Sequence, residues 1–570
     1  MHSEAANESG TLSLVMPAEL SEQLKSASVN YPSVSLSRRQ LCDLELLANG
    51  AFNPLRGFMN QRTYTSVLED MRLPDGTLWP VPVTLDVAAD EAEKLSLGDD
   101  VALRDDEGFM LAVLTVSDIW TPDTQAEARH LYGTTEPNHS GVAQLLDTQG
   151  RVNLGGDIRA AQLPNHYDFE ALRHSPDELR QQFRRLGWRN VVGFHTTRPI
   201  HRMQREICMN AAKRANAHVL IHPVVGVARP GDVSYHARIQ CYRGVESHFP
   251  LGIALLSLLP LAMRMAGPRE ALWHAIVRRN YGCTHMVVAN DHASPPNGNV
   301  YAPYAAQQLV QTHADEIGIE VIDVERQVFA PDLRRFVDSD KSADTRTESL
   351  STSEFTRRLV AEEPVPSWYT YPEVLAVLRK VHPPRRQMGM TLFFTGLSGA
   401  GKSTLAKIVY GRLIEDGSRP VTLLDGDVVR TNLSSELGFS KEHRDLNVRR
   451  IGFVASEITK NRGIAICAPI APYATTRSAV REAVSAHGAF IEVHVSTPLE
   501  VCEARDRKGL YAKARRGLIP EFTGVSDPYE TPQAPELRID TSAFSPMEAA
   551  EEIYLYLVRE GYVDTTGGDF

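Results

Sequence analysis

The chain has 570 residues, 42% of them hydrophobic and 23% charged, a globular composition long enough for three or four domains. Its formal net charge of −11 argues against a general nucleic-acid binder. Six widely spaced cysteines (Cys42, Cys208, Cys241, Cys283, Cys467 and Cys502) form no C-x-x-C pair, which argues against a zinc knuckle or disulfide framework and for reduced thiols in a cytoplasm. Residues 1–10 are polar and acidic, unlike a signal peptide, and the most apolar stretch, 251–265, is too short to span a bilayer.

Residues 1–160 alternate strand-like runs, such as 79–85 and 110–116, with the turn signals Pro74-Asp75-Gly76 and Asp105-Asp106-Glu107-Gly108. They predict a β-rich N-terminal module without a catalytic constellation, and Asn53-Pro54-Leu55-Arg56-Gly57-Phe58 reads as a structural turn. Residues 161–325 change character. Buried-strand runs at 191–194, 219–225 and 286–289 alternate with helical patterns such as 269–279. That alternation predicts a Rossmann-like parallel sheet with ligands at the carboxyl ends of its strands, where the polar clusters 195–204, 226–232 and 290–292 fall. Residues 326–387 read as a small subdomain and linker, closed by Pro383-Pro384-Arg385-Arg386. Residues 388–570 form a compact α/β unit with strands at 391–395, 421–424, 464–468, 490–495 and 537–539. The whole is a multidomain α/β chain.

The last unit carries the clearest chemistry. Gly396-Leu397-Ser398-Gly399-Ala400-Gly401-Lys402-Ser403, followed by Thr404, is a G-x-x-x-x-G-K-S phosphate loop between a strand and a helix. Its backbone N–H groups and helix N-terminus suit ATP phosphates, Lys402 can reach the β- and γ-phosphates, and the Ser403 hydroxyl can ligate Mg²⁺. Asp425-Gly426-Asp427 closes the second strand, where carboxylates can orient metal-bound water or accept a hydroxyl proton. The stretch 439–450, with Phe439, Arg444, Asn447 and Arg450, suits a second ligand bearing both a purine and anions. The basic segment around Lys508 and Arg515, followed by Phe522-Thr523-Gly524, reads as a closing lid.

These motifs resemble adenylyl-sulfate (APS) kinase, through G-L-S-G-A-G-K-S-T, D-G-D-x-x-R, F-S-x-x-D-R-x-x-N-x-R-R, K-G-L-Y-x-K-A-R and F-T-G. Only His443 departs, standing where the pattern has an acidic residue. The resemblance implies a P-loop kinase fold and transfer of the ATP γ-phosphoryl group to the 3′-hydroxyl of APS, with Mg²⁺. It implies Asp427 as the base, aided by Lys402 and Asp425. It also implies Arg430, Arg444, Asn447, Phe439, Phe522 and Lys508 as the APS side. Ala468 and Ala471 lack the hydroxyl that some relatives phosphorylate, so the transfer is direct.

Residues 35–385 resemble ATP sulfurylase, most strongly in His222-Pro223-Val224-Val225-Gly226, Arg229-Pro230-Gly231-Asp232 and residues 262–271. That family joins sulfate to the α-phosphate of ATP. Its motif F-Q-T-R-N-P-L-H-R-A-H appears here as residues 194–204, with His195 for Gln, Thr197 for Arg, Arg198 for Asn and Gln204 for the second His, while His201 is kept. Its G-R-D-H-A-G appears as Ala289-Asn290-Asp291-His292-Ala293-Ser294. The lost arginines predict little or no sulfurylase activity, because one missing oxyanion donor costs about 10²–10³ in rate. Arg198 is expected to face away from the lost arginine's position, since a one-residue shift in an extended segment reverses the side chain. His201, His285 and His292 raise a metal site, but their spacing fits no standard zinc pattern. Two alternatives stand beside this reading: a fully bifunctional enzyme that makes 3′-phosphoadenylyl sulfate (PAPS), and a front half that serves only for assembly or APS sensing. The expected partners are ATP and APS, with no nucleic acid or membrane, in a cytoplasmic homo-oligomer.

Overall fold

The computed structural model describes residues 13–148, 150–227, 232–295, 300–339, 345–438, 440–506 and 508–564. The chain forms two compact units: Met1–Ser351 with Val365–Leu378, and Thr352–Pro364 with Arg379–Phe570. It therefore passes from one to the other three times.

Among the described residues the first unit contains three sheets, the smallest a hairpin of Gln327–Ala330 with Arg335–Asp338. One has six strands and is mostly antiparallel, ordered Ser33–Ser35, Asp100–Arg104, Met110–Trp120, Val152–Ala160 and Gly57–Phe58, with Leu85–Val87 also paired to Val152–Ala160. Its backbone is the long pairing of Met110–Trp120 with Val152–Ala160, bent by a register shift between Val116 and Asp118. Gly156 is required there, because a Cβ would sit 2.0 Å from the Thr115 carbonyl oxygen. The turn at 53–58 is structural: the carbonyls of Ala51 and Asn53 each accept from Asn280 Nδ2 at 2.9 Å.

The second sheet is fully parallel, ordered Glu320–Asp323, His285–Val288, Val191–Thr196, His218–Pro223 and Ala254–Leu256. The two outer strands are short: Glu320–Asp323 has only two apolar residues, and Ala254–Leu256 lies undistinguished inside the apolar stretch 251–265. Helix Gly267–Asn280 is almost wholly buried, its polar Glu270, His274, Arg278 and Asn280 included. Its His274 and Arg278 are carried into the interior with it.

The second unit is a five-stranded parallel sheet, ordered Val421–Asp425, Ile464–Ala468, Met390–Thr395, Ala489–Val495 and Leu537–Ile539. Alternation along the central strand fills two cores. Leu392 and Phe394 join the side with helices Lys402–Asp416 and Pro546–Arg559, whereas Phe393 joins the side with Lys441–Lys460 and Ala474–Ser485. Within this unit, helix Thr352–Val360 buries Phe355 and Leu359.

Candidate active sites

The strand Met390–Thr395 is buried throughout and delivers the chain into the phosphate loop. Gly399 and Gly401 take φ values of 75° and 104°, which let the loop fold back before helix Lys402–Asp416 begins. Gly396 has no room for a side chain, since a Cβ would lie 2.5 Å from the Val495 carbonyl oxygen. Side chains behind the loop tie down its carbonyls. Thr497 and Thr541 donate to Ala400 O at 3.1 and 2.9 Å, and Tyr511 donates to Ser398 O at 2.9 Å.

Lys402 is buried, and its ammonium donates to the loop's own Gly396 O (2.9 Å) and Leu397 O (2.7 Å). Burial brings its pKa down to about 8; Cys502 and Asp425 oppose the shift, and Lys508 adds to it. Asp425, half-buried at its strand end, is thus near enough to Lys402 to feel its charge. Ser403 is exposed one residue on, in the first turn of the helix. Asp427 lies in helix Gly426–Leu433; its side chain, like Phe439, lies outside the described residues.

The acceptor side forms around helix Lys441–Lys460. Arg430 donates to Leu437 O and Gly438 O at 3.2 and 3.1 Å. Arg444 is buried, with Nη1 bonded to Glu521 O and Thr523 Oγ1, both at 2.8 Å. Its Nη2 donates to the Tyr473 hydroxyl at 2.8 Å and lies 3.0 Å from Asp527 Oδ2, to which Tyr473 also donates at 2.7 Å. Two buried polar atoms one helical turn apart, Arg444 Nε and Asn447 Oδ1, make no hydrogen bond in the protein. Phe522 packs edge-on against Tyr511 with centroids 5.1 Å apart, and Lys508 is exposed. A groove of about 610 Å³ lies between Leu397 of the phosphate loop and residues 524–529.

The motifs point to Arg444 but not to its holders. Tyr473, Thr523 and Asp527 lie in stretches visible in the sequence, yet only the fold joins them across 29, 79 and 83 positions of chain. A buried charge needs such partners.

The front-half site is built differently. Strand Val191–Thr196 ends one residue after His195. The Thr196 hydroxyl then accepts from Arg198 N (3.1 Å) and donates to Arg198 O (2.9 Å), turning the chain into a bend. The expected strand alternation through Arg198 therefore does not hold; the hydroxyl's local bonds end the extended segment first. Arg198 is exposed, and Thr197 O accepts from Arg238 Nη1 at 2.9 Å. Gln204 Oε1 accepts from His201 N at 3.0 Å, so it caps helix Arg202–Ala215, while His201 Nδ1 meets Thr370 Oγ1 at 2.8 Å. Ala289 and Asn290 are half-buried and Asp291 is exposed.

His292 turns inward and joins a group that the sequence spacing does not mark: His195, His274 and His292, whose nearest nitrogens lie within 4.8 Å of one another. The earlier candidate His285 begins its strand, at the opposite sheet end from His195, and pairs with Glu320 at 3.2 Å. His274 Nδ1 and His292 Nε2 share a hydrogen bond of 3.0 Å, and His195 Nδ1 accepts from Arg278 Nη2 at 3.0 Å. The inward lone pairs are thus largely used inside the protein, beside a guanidinium. Arg278 is fully buried, also bonded to His222 O and His274 O, and burial lowers its pKa to about 10. Burial, with the neighbouring imidazoles and Arg278, pushes His195 well below the usual histidine range, so the cluster is neutral at pH 7. The sequence motifs single out His195 and His292, but no spacing joins them to His274 and Arg278, which stand four apart in one helix.

Three family descriptions match the chain: PUA-like domain over residues 6–163, ATP-sulfurylase over 170–381, and Adenylylsulphate kinase over 388–540. The chain is 45% identical over 548 residues to a sulfate adenylyltransferase of Phaeosphaeria nodorum, covering 95% of this chain and 96% of the relative. It is 46% identical to one of Aspergillus oryzae, covering 97% of each. Among solved structures it is similar to a hexameric APS kinase from Thiobacillus denitrificans, with a TM-score of 0.80, 40% identity, and coverage of 97% of this chain and 98% of that one.

Proposed function

Since this chain belongs to the sulfate adenylyltransferase family, with an ATP-sulfurylase domain and an adenylylsulphate kinase domain on one polypeptide, we propose that its working chemistry is the kinase step. ATP gives its γ-phosphoryl group to the 3′-hydroxyl of APS, yielding PAPS and ADP. The observation that carries this is the juxtaposition, in one parallel-sheet unit, of a closed phosphate loop with the Arg430, Arg444 and Asn447 lobe.

The residues present fit Mg²⁺ held with ATP: an exposed Ser403 hydroxyl at the helix start and an Asp425 carboxylate within the field of Lys402. Bound there, the ion supplies neutralisation of phosphate charge. Lys402 exchanges its two loop carbonyls for phosphate oxygens. Asp427 takes the proton of the 3′-hydroxyl as that oxygen bonds to the γ-phosphorus and the bond to the β–γ bridging oxygen breaks. Arg430, Arg444, Asn447, Phe439 and Phe522 hold the acceptor nucleotide, and Lys508 closes with the lid.

The front half keeps its fold and has little or no sulfurylase activity. Thr197 and Asn290 supply no cation where the family pattern has arginines, and Gln204 is engaged as a helix cap. The Thiobacillus relative, similar over the full length, is described as an APS kinase, which supports this reading. The fungal relatives, described as sulfate adenylyltransferases over the same length, favour the second reading, a fully bifunctional enzyme. The protein acts in the cytoplasm as a homo-oligomer, in keeping with the hexameric description of that APS kinase. No described helix is long and apolar enough to cross a membrane.

Purified protein given MgATP and APS is expected to form PAPS and ADP; unphosphorylated APS overturns the kinase reading. The same protein given ATP, sulfate and pyrophosphatase is expected to form no APS. Sustained APS formation at an ordinary enzyme rate replaces the first reading with the second.

A further inference from the structure

His443 is the one departure from the kinase motifs, and its surroundings give it a specific task. It sits in the first turn of helix Lys441–Lys460, where its backbone N–H is capped by Ser440 Oγ at 3.3 Å. Its ring Nδ1 accepts from Gly438 N at 2.9 Å. A Cβ built on Gly438 would lie 3.3 Å from that nitrogen, so the bend is packed against the imidazole. The same peptide unit that gives this N–H carries the Leu437 carbonyl, and Leu437 O and Gly438 O both accept from Arg430 Nη1. A hydrogen bond at one end of an amide strengthens the acceptor at its other end. The imidazole lone pair, the bend and the Arg430 guanidinium thus form one chain of bonds.

Resting on the kinase reading above, we propose that His443 is a positioning residue for the acceptor nucleotide: its ring Nδ1 latches the 437–438 bend that aims Arg430. The carboxylate of the family pattern can accept the same N–H, so the exchange keeps an acceptor at this place. The charged groups around the ring are Glu436 and Glu442, Arg430 across the bend, Lys441 in the same turn, Arg450 paired to Glu436 at 2.6 Å, and Glu521, whose carboxylate accepts from Lys441 N at 3.2 Å. Backbone hydrogen bonds hold both Glu436 and Glu442 below the usual carboxylate range.

The test is the KM for APS, measured beside kcat and the KM for ATP in variants at this position. His443→Ala is expected to raise the KM for APS about tenfold, with the KM for ATP much less affected. His443→Gln and His443→Asp each keep an acceptor for the Gly438 N–H and are expected to recover most of the APS capture that Ala loses. An Ala variant with the wild-type KM for APS overturns the proposal, as do Gln and Asp variants as weak as Ala, or a KM for ATP that rises as much as that for APS. Failure of the wild type to make PAPS overturns the kinase reading and this inference with it. Thermal melting of each variant separates these effects from unfolding.

Discussion

The two halves place polar groups at the carboxyl ends of parallel strands, and they use them in opposite ways. In the front half, the half-buried His195 and the buried His274, His292 and Arg278 are hydrogen-bonded among themselves, and the groups around them cap a helix or tie a bend. In the back half, Leu397 of the phosphate loop and Asp527 of the Arg444 cluster line a groove of about 610 Å³. Both sheets stand on apolar cores that include none of these groups. The difference teaches that such a fold is held by its core, so that the polar groups at its strand ends can be arranged differently without a change of shape.

The sharpest way to break the comparison is in the back half. Lys402→Ala is expected to reduce PAPS formation by about 10³ or more, because the transferring phosphoryl group loses its cation. Asp427→Asn is expected to cost about 10²–10⁴ in kcat; unchanged turnover there removes this residue from the base role. Restoring the front half is the converse test. The triple variant His195→Gln, Thr197→Arg and Asn290→Arg is expected to bring APS formation from ATP and sulfate above background, since each restored donor is worth about 10²–10³. A silent triple variant shows that these three residues alone do not decide whether the front half makes APS.

Smaller effects sharpen the contrast. Asp527→Asn and Tyr473→Phe each remove one holder of Arg444, and are expected to raise the KM for APS about tenfold with little change in the KM for ATP. The empty enzyme's Lys402, brought down to about 8, loses its proton as pH rises through that value, whereas phosphate binding favours the charged form. ATP affinity is therefore expected to fall above pH 8 by up to about tenfold per unit, with proton uptake on binding. Calorimetry in buffers of different ionisation enthalpy reads that uptake; level affinity from pH 7 to 9.5 rules it out.

How much of this was legible in the sequence depended on how local the signal was. The strand ahead of the phosphate loop reads as 391–395 and forms as Met390–Thr395, because a fully apolar run and a glycine loop lie side by side. The strand Glu320–Asp323 leaves no such trace, since an edge strand of four residues needs no continuous apolar run, and Ala254–Leu256 is one short part of the longer apolar stretch 251–265, which does not mark its bounds. Arg198 misled because a single hydroxyl, Thr196 Oγ1, ends the strand that the alternation argument required. The pairing of Arg444 with Asp527 and the meeting of His195 with His274 are set by the sheets, so no spacing rule finds them.

The threefold passage of the backbone between the two units carries a practical consequence. Residues 352–364 pack with the rear unit, yet residues 365–378, further along, pack with the front one. No single incision in the gene yields two whole proteins. A clone begun at residue 388 forfeits the helix that buries Phe355 and Leu359, and one begun at 352 drags along a segment whose companions are missing. Dissecting this polypeptide calls for silencing point changes in the intact chain rather than scissors.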